Sequence, residues 1–386
     1  MEIIYRPLVL RMLLVGLAML PCRTVLAEVE EVPLFITIGQ SNADGSAFAD
    51  AQEDERLQEW YTSSANSGKM KMWYRSTQVE NQEPDSLGVS ARWVVDGSVT
   101  DVEPGWLNLW YRNENTAGRT AMNMIHTYGT YSECAGSACA QGRRGMEGEF
   151  GMKFQTAFPD SELYMLKLGA SGSSIATWAD SADSHNWNYF YNHVFKPAVE
   201  DLISKGKRPR LAGIWWMQGC ADMKKSKEYY EGCLKELVRR CRVELGFADA
   251  RIYVGHIVKP GESKLYPEGS KQYGQSVRDA QDAVAETIPG VEIIAAGDFE
   301  MQYEEPFRGY VHFNHRGMNA IGDVLAAKVI ADKEGWASYS TPGYWNGNVF
   351  VPMVGAPNIT YSEKNGVLTA TLDYGFWSET CSKTCD

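Results

Sequence analysis

Basic clusters, closely spaced cysteine pairs and long apolar runs are all scarce in this chain of 386 residues. Arg143-Arg144 and the stretch from Lys205 to Arg210 are too short to make a basic patch, and the formal net charge is -12. A surface of that sign repels phosphate backbones, which argues against a nucleic-acid partner. None of the eight cysteines stands in Cys-x-x-Cys spacing, so no metal site is expected. The one apolar run of any length, residues 8–20, is short, is broken by Arg11 and is followed by Pro21. It reads as part of a signal peptide rather than a membrane span, with Val25 and Ala27 at the third-last and last positions before a cleavage expected after Ala27. A secreted or periplasmic protein without stable membrane insertion is the expectation.

What is present is the make-up of a folded chain. Hydrophobic residues reach 44% and charged residues 22%, which excludes a disordered or collagen-like protein. At this length a core forms without help from disulfides or metals. The cysteines left after cleavage are Cys134, Cys139, Cys220, Cys233, Cys241, Cys381 and Cys385, an odd number, so at least one is unpaired. Cys134 with Cys139, and Cys381 with Cys385, lie in loops where an oxidising compartment allows small local disulfides. Cys233 and Cys241 fall on the apolar face of a helix and read as core residues. The aromatics, 12 Trp, 20 Tyr and 13 Phe, suit either a dense core or a large flat ligand.

Short continuous apolar runs at residues 32–38, 162–168, 211–217, 251–258 and 291–296 predict strands buried on both faces. Between them, residues 147–158, 224–245 and 272–288 predict helices, and Asn314 is placed to cap a last helix running to about residue 333. Strands alternating with helices imply parallel βαβ units. Residues from about 50 to 140, rich in Gly, Ser, Asn and aromatics, read as a long insertion. Alternation in residues 366–374 suggests a small C-terminal β appendage from residue 340. The expected layout is a signal peptide (1–27), one main domain (28–339) and that appendage (340–386).

In such sheets ligands sit beyond the carboxyl ends of the strands. Ser41 follows the first strand, Gly172 the second and Gln218 the third, while His312 lies in the loop after the fifth. A serine at a strand-to-helix turn is a nucleophile if a base lies within reach, and His312 is that base. The N–H groups of Ser41 and Gly172 and the Gln218 amide are candidates for an oxyanion hole. Read singly, Ser41 is equally a helix cap and His312 a packed histidine; their order on successive strand ends is what points to chemistry.

Five blocks carry a resemblance. They are Gly39-Gln40-Ser41-Asn42; Gly145-Met146-Glu147 on to Gly151; Ser171-Gly172-Ser173-Ser174-Ile175 with Trp178; Trp216-Met217-Gln218-Gly219-Cys220-Ala221-Asp222; and His312-Phe313-Asn314-His315-Arg316-Gly317. With them the chain resembles the SGNH-type carbohydrate esterases of the sialate O-acetylesterase and acetylxylan esterase group. The resemblance implies a flavodoxin-like three-layer α/β/α domain with a five-stranded parallel sheet. It also implies removal of O-acetyl groups from sugars without a cofactor. By motif, Ser41 is the nucleophile, His312 the general base and then acid, and Ser41, Gly172 and Gln218 the oxyanion hole, with Gly169 close to Gly172. Gln40, Asn42, Glu147, Trp178, Cys220 and Asp222 fall in supporting or substrate-binding places.

The sequence departs from that pattern twice. Where the family has Asp three residues before the histidine, this chain has Gly309, which leaves either a Ser–His dyad oriented by a backbone carbonyl or a substitute acid from Asp298, Glu300, Glu304 or Glu305. Cys220 stands where relatives carry Glu. Gly309 keeps open a non-catalytic carbohydrate-binding relative, and an esterase for longer acyl chains is a further alternative. Trp178 and Trp187 are the aromatics nearest the site blocks; most of those in the insertion are expected to pack inward. The acetylated sugar and the oligomeric state are not legible.

Overall fold

The computed structural model describes residues 30–45, 47–48, 51–74, 93–95, 98–100, 105–108, 143–170, 172–180, 184–258, 274–299, 312–339, 344–346, 349–351, 358–364, 367–373 and 378–384. The segment read as a signal peptide and Cys134, Cys139 and Cys385 lie outside these residues, as does the side chain of Cys381.

The main sheet grows from the apolar runs. Strand β1 (Glu30–Gly39) is buried from Val32 onward, because neighbours cover it on both edges and helices cover both faces. After β1 come the single turn α1 (Ser41–Asp44), helix α2 (Ala51–Thr62), β2 (Met70–Tyr74), β3 (Gly105–Asn108) and α3 (Glu147–Ala157). Next are β4 (Leu163–Gly169), α4 (Ala176–Ala179), α5 (His185–Tyr189), α6 (Lys196–Ser204) and β5 (Lys207–Met217). The chain continues through α7 (Lys227–Val243), β6 (Ile252–Gly255), α8 (Gln275–Thr287), β7 (Val291–Ile294), α9 (His315–Ala331) and β8 (Ala337–Ser338).

Strand order is β7-β6-β5-β1-β4-β2-β3, with β8 pairing β5. The five expected parallel strands are present, and the sheet is wider than that. β2 adds a sixth parallel strand beside β4, β3 is antiparallel to β2, and β8 is antiparallel to β5. The first two come from the region read as an insertion, so part of that region completes the sheet. Its described aromatics pack inward as expected: Trp73 meets Trp106 edge-on, Trp106 meets Tyr164, and the buried Tyr61 hydroxyl donates to the Gly148 carbonyl at 2.8 Å.

Helices α3 and α9 pack on each other over one sheet face, where Phe35 of β1 touches Phe150 of α3. On the opposite face α4, α5, α7 and α8 gather, with Trp178 of α4 against Trp216 of β5. Helix α7 is capped by Ser226 and turns Tyr230, Leu234, Leu237, Val238 and Cys241 inward, as its 3.6-residue spacing dictates. The C-terminal region read as a β appendage contains a hairpin, Tyr344–Asn346 with Val349–Val351, and a three-stranded meander, Asn358–Lys364, Val367–Asp373 and Ser378–Thr384. No helix among the described residues is long and apolar enough to cross a membrane.

One topological fact positions the site. β1 lies between β4 and β5, and the chain crosses from one side of β1 to the other as it passes from β4 to β5. Flanking connections therefore diverge above the carboxyl end of β1 and leave a crevice there.

Candidate active site

Register brings the strand ends level. Gly39 at the end of β1 pairs with Gly169 of β4 and with Met217 of β5. Ser41, the Gly172 turn and Gln218 consequently emerge side by side. Gly39 has φ 144°, and a Cβ built there would lie 2.2 Å from the Met217 carbonyl oxygen. Only glycine allows β1 and β5 to approach closely enough for the Gln40 N–H to reach that carbonyl, at 2.9 Å. Gly39→Ala is expected to cost upwards of about 2 kcal/mol in unfolding free energy, by strain and by clash. Denaturant unfolding checks this; a wild-type midpoint would show that the strands yield at no cost.

Ser41 opens α1, which is one turn long and ends at Gly45. So short a turn presents backbone N–H groups but little macrodipole. Ser41 is buried, and its Oγ lies 2.8 Å from Nε2 of the half-buried His312, 271 residues away in sequence. Two bonds fix the histidine's strand-like approach to α9. Phe313 N–H donates to Asn42 Oδ1 at 3.3 Å, and Asn314 caps α9 by accepting from Gly317 N–H at 2.9 Å. Gly309, Glu300, Glu304 and Glu305 lie outside the described residues, as does the side chain of Asp298.

The Gly172 turn is closed by Ser173 N–H donating to the Ala170 carbonyl at 3.1 Å, and it is tied to β1 by Ala170 N–H donating to the Gly39 carbonyl at 2.8 Å. Gly172 has φ 70°, and a Cβ there would meet nothing within 4 Å. The turn thus needs glycine for its conformation and not for lack of room.

Gln218 occupies the expected place with a different bonding pattern. It is fully buried, and its Nε2 donates to the Ser173 carbonyl at 2.9 Å and to Asp222 Oδ2 at 2.7 Å. An amide nitrogen has two hydrogens, and both partners are acceptors, so none is left for an oxyanion. The expectation that Gln218 donates to the oxyanion is corrected on that ground. The one hydrogen of the Tyr230 hydroxyl is shared between Gln218 Oε1 and the Gln218 main-chain oxygen, at 3.0 and 2.9 Å, and Gln281 Nε2 donates to the same main-chain oxygen at 3.3 Å.

The six residues assigned to support or substrate contact are all buried. Gln40 Oε1 accepts from Gly219 N–H at 3.1 Å and from Ala221 N–H at 3.4 Å, joining β1 to the loop after β5. Asn42 holds the histidine loop as described. Trp178 takes a supporting and not a substrate-binding place, since its ring is enclosed and its Nε1 donates to Ser173 Oγ at 3.2 Å. Trp187 is buried too, with Nε1 donating to Glu244 at 2.6 Å. Burial, with a smaller contribution from the Asp222 charge, pushes the Cys220 thiol up to about 12, which leaves it inert as a nucleophile at neutral pH. Glu147, at the start of α3, forms an ion pair at 2.8 Å with Lys167 of β4, and both side chains are out of contact with solvent.

Sequence reading missed Lys167, Tyr230 and Gln281. Lys167 carried a signal, because a lysine inside a run otherwise buried must have a buried partner. Tyr230 looked like one more apolar position of α7, and nothing in the pattern marks its hydroxyl. Among the described residues no group of three or more His, Cys, Asp or Glu side chains is gathered as a metal site.

A family model described as carbohydrate esterase, sialic acid-specific acetylesterase, matches residues 31–331. No curated protein matches the chain. Solved structures similar to it include a protein of Arabidopsis thaliana, with 16% identity and a TM-score of 0.48, covering 78% of this chain and 98% of that one. A carbohydrate acetylesterase from Xanthomonas citri has 15% identity and a TM-score of 0.46, and the match covers 89% of this chain and 63% of that one.

Proposed function

Since the chain belongs to the carbohydrate esterase family of sialic acid-specific acetylesterases, we propose that it is an exported serine esterase that removes O-acetyl groups from a glycan. The observation that carries this reading is the 2.8 Å hydrogen bond between Ser41 Oγ and His312 Nε2 at the crevice above β1. That distance lets the imidazole take the hydroxyl proton as Oγ attacks the ester carbonyl. The carbonyl oxygen becomes an oxyanion, received by the N–H groups of Ser41 and Gly172. Collapse breaks the bond to the sugar oxygen, which leaves with the proton held by His312. Water then gives a proton to His312 and attacks the acetyl carbonyl. The bond to Oγ breaks, acetate departs and the proton returns to Ser41.

Acetate release by the exported chain, residues 28–386, tests the proposal. Substrates are an aryl acetate, O-acetylated sialic acid, acetylated xylan and the matching butyrate ester, with a chelator in parallel. Turnover of acetyl esters that survives the chelator is the expected result, with activity falling on the acid side as His312 takes up a proton and ceases to be a base. Preference for the butyrate would favour a longer-chain esterase. No release from folded protein on any substrate would overturn the enzyme reading and favour a binding protein.

A further inference from the structure

The geometry points to Asp222 as a positioning residue that holds the Gly172 turn over Ser41, with Gln218 as its intermediary. This inference rests on the serine-esterase reading and deepens it. Asp222 is buried in the short turn that follows β5, one loop away from the reacting atoms. Its Oδ1 accepts from Ser174 Oγ at 2.6 Å, and its Oδ2 accepts from Ile175 N–H at 2.7 Å and from Gln218 Nε2 at 2.7 Å. The remaining amide hydrogen of Gln218 goes to the Ser173 carbonyl. Residues 173, 174 and 175, immediately after Gly172, are therefore each bonded to one buried carboxylate–amide unit anchored on β5. Trp178 seals the same segment from below through its bond to Ser173 Oγ.

The alternative anchor for the turn is β1, through Ala170 N–H. Gly172 has a positive φ and open space where a Cβ would stand, so no packing at that residue keeps the turn from swinging. An oxyanion donor works only if its N–H is fixed before the charge develops. The carboxylate supplies that fixity. Its role also explains why the Gln218 amide is turned away from the oxyanion: it is the strut between Asp222 and the turn.

The test uses Asp222→Ala, Asp222→Asn and Gln218→Met in the full exported chain, with an aryl acetate and with methylboronic acid, which forms a tetrahedral adduct on a serine. Loss of a fixed oxyanion donor typically costs about 10²–10³ in kcat. Asp222→Ala and Gln218→Met are expected to lower kcat by about that factor, with KM within a few-fold of wild type. Methylboronic acid affinity should fall in parallel, and the acid limb of the pH profile, set by His312, should not move. In Asp222→Asn the new amide oxygen can accept from Ile175 N–H and Gln218 Nε2, and the amide nitrogen can donate to a rotated Ser174 hydroxyl. That variant should therefore stay within about tenfold of wild type. Because the two side chains act as one unit, Asp222→Ala with Gln218→Met should be no worse than either alone.

Wild-type kcat and boronate affinity in Asp222→Ala would overturn the inference, as would a rate loss with unchanged boronate affinity. Equal losses in Asp222→Asn and Asp222→Ala would overturn it too, because charge and not the hold on the turn would then matter. Should Asp222→Ala fail to fold, Asp222→Asn and Gln218→Met decide by the same criteria. A wild-type chain that neither hydrolyses the ester nor binds methylboronic acid would instead sink the esterase reading itself.

Discussion

Ser41→Ala is expected to lower kcat for acetate release by on the order of 10⁴–10⁶ while leaving the fold intact. The hydroxyl is the only atom group lost. Its partner His312 Nε2, at 2.8 Å, belongs to a half-buried residue and can bond to water in its place, so thermal unfolding should shift by no more than about a degree or two. His312→Ala should fall by a comparable factor, and the double variant should be no slower than either, because a nucleophile without its base and a base without its nucleophile are equally idle. Single-turnover kinetics on an aryl acetate measures the loss. Residual turnover within about tenfold of wild type in Ser41→Ala would mean that another group attacks the ester. Cys220 is not that group, given its burial and its raised thiol.

The second large effect is on stability. Lys167→Met removes the cation from an ion pair sealed between β4 and α3 and strands the Glu147 carboxylate without solvent. Breaking a buried pair in this way costs about 3–5 kcal/mol, because the remaining charge has lost its counter-ion and cannot recover its water. Lys167→Met with Glu147→Gln leaves no charge behind and should recover much of that loss. Urea midpoints for the two variants measure both statements. A single variant as stable as the double one would show that water or another group reaches Glu147.

How far these results were legible in the sequence differs by element. The runs that became β1, β4 and β5 were plain, since a strand buried on both faces needs apolar residues throughout. Their carboxyl ends followed from that, and with them the neighbourhood of Ser41, Gly172, Gln218 and His312. β2 was hidden: Met70–Tyr74 is a five-residue strand inside a stretch of mixed polarity, and its pairing with β4 is long-range. The bonding of Gln218 was hidden for another reason. Asp222 stands four residues on in the same block, but whether the amide faces it or an oxyanion depends also on Ser173 from the turn after β4 and Tyr230 from α7, which no local pattern encodes. Trp178 shows the same limit, because a tryptophan beside a site block is as readily a buried brace for the loop as a surface for a sugar. The buried pair was half legible, in that Lys167 announces a partner without naming Glu147.

On the proposed mechanism, the separation of 271 residues between Ser41 and His312 has a consequence for the chain as it is made. Synthesis delivers Ser41 early and His312 after most of the sheet has emerged, and domains fold as their segments appear. A nascent or truncated chain ending before residue 312 carries the serine without its base. If Ser41 and His312 act as proposed, hydrolytic competence is a late event, reached only when α9 docks on α3 and carries the histidine loop onto Asn42. The arrangement makes acetate release a reporter of complete assembly: a chain that turns over has, by that fact, brought its two halves together.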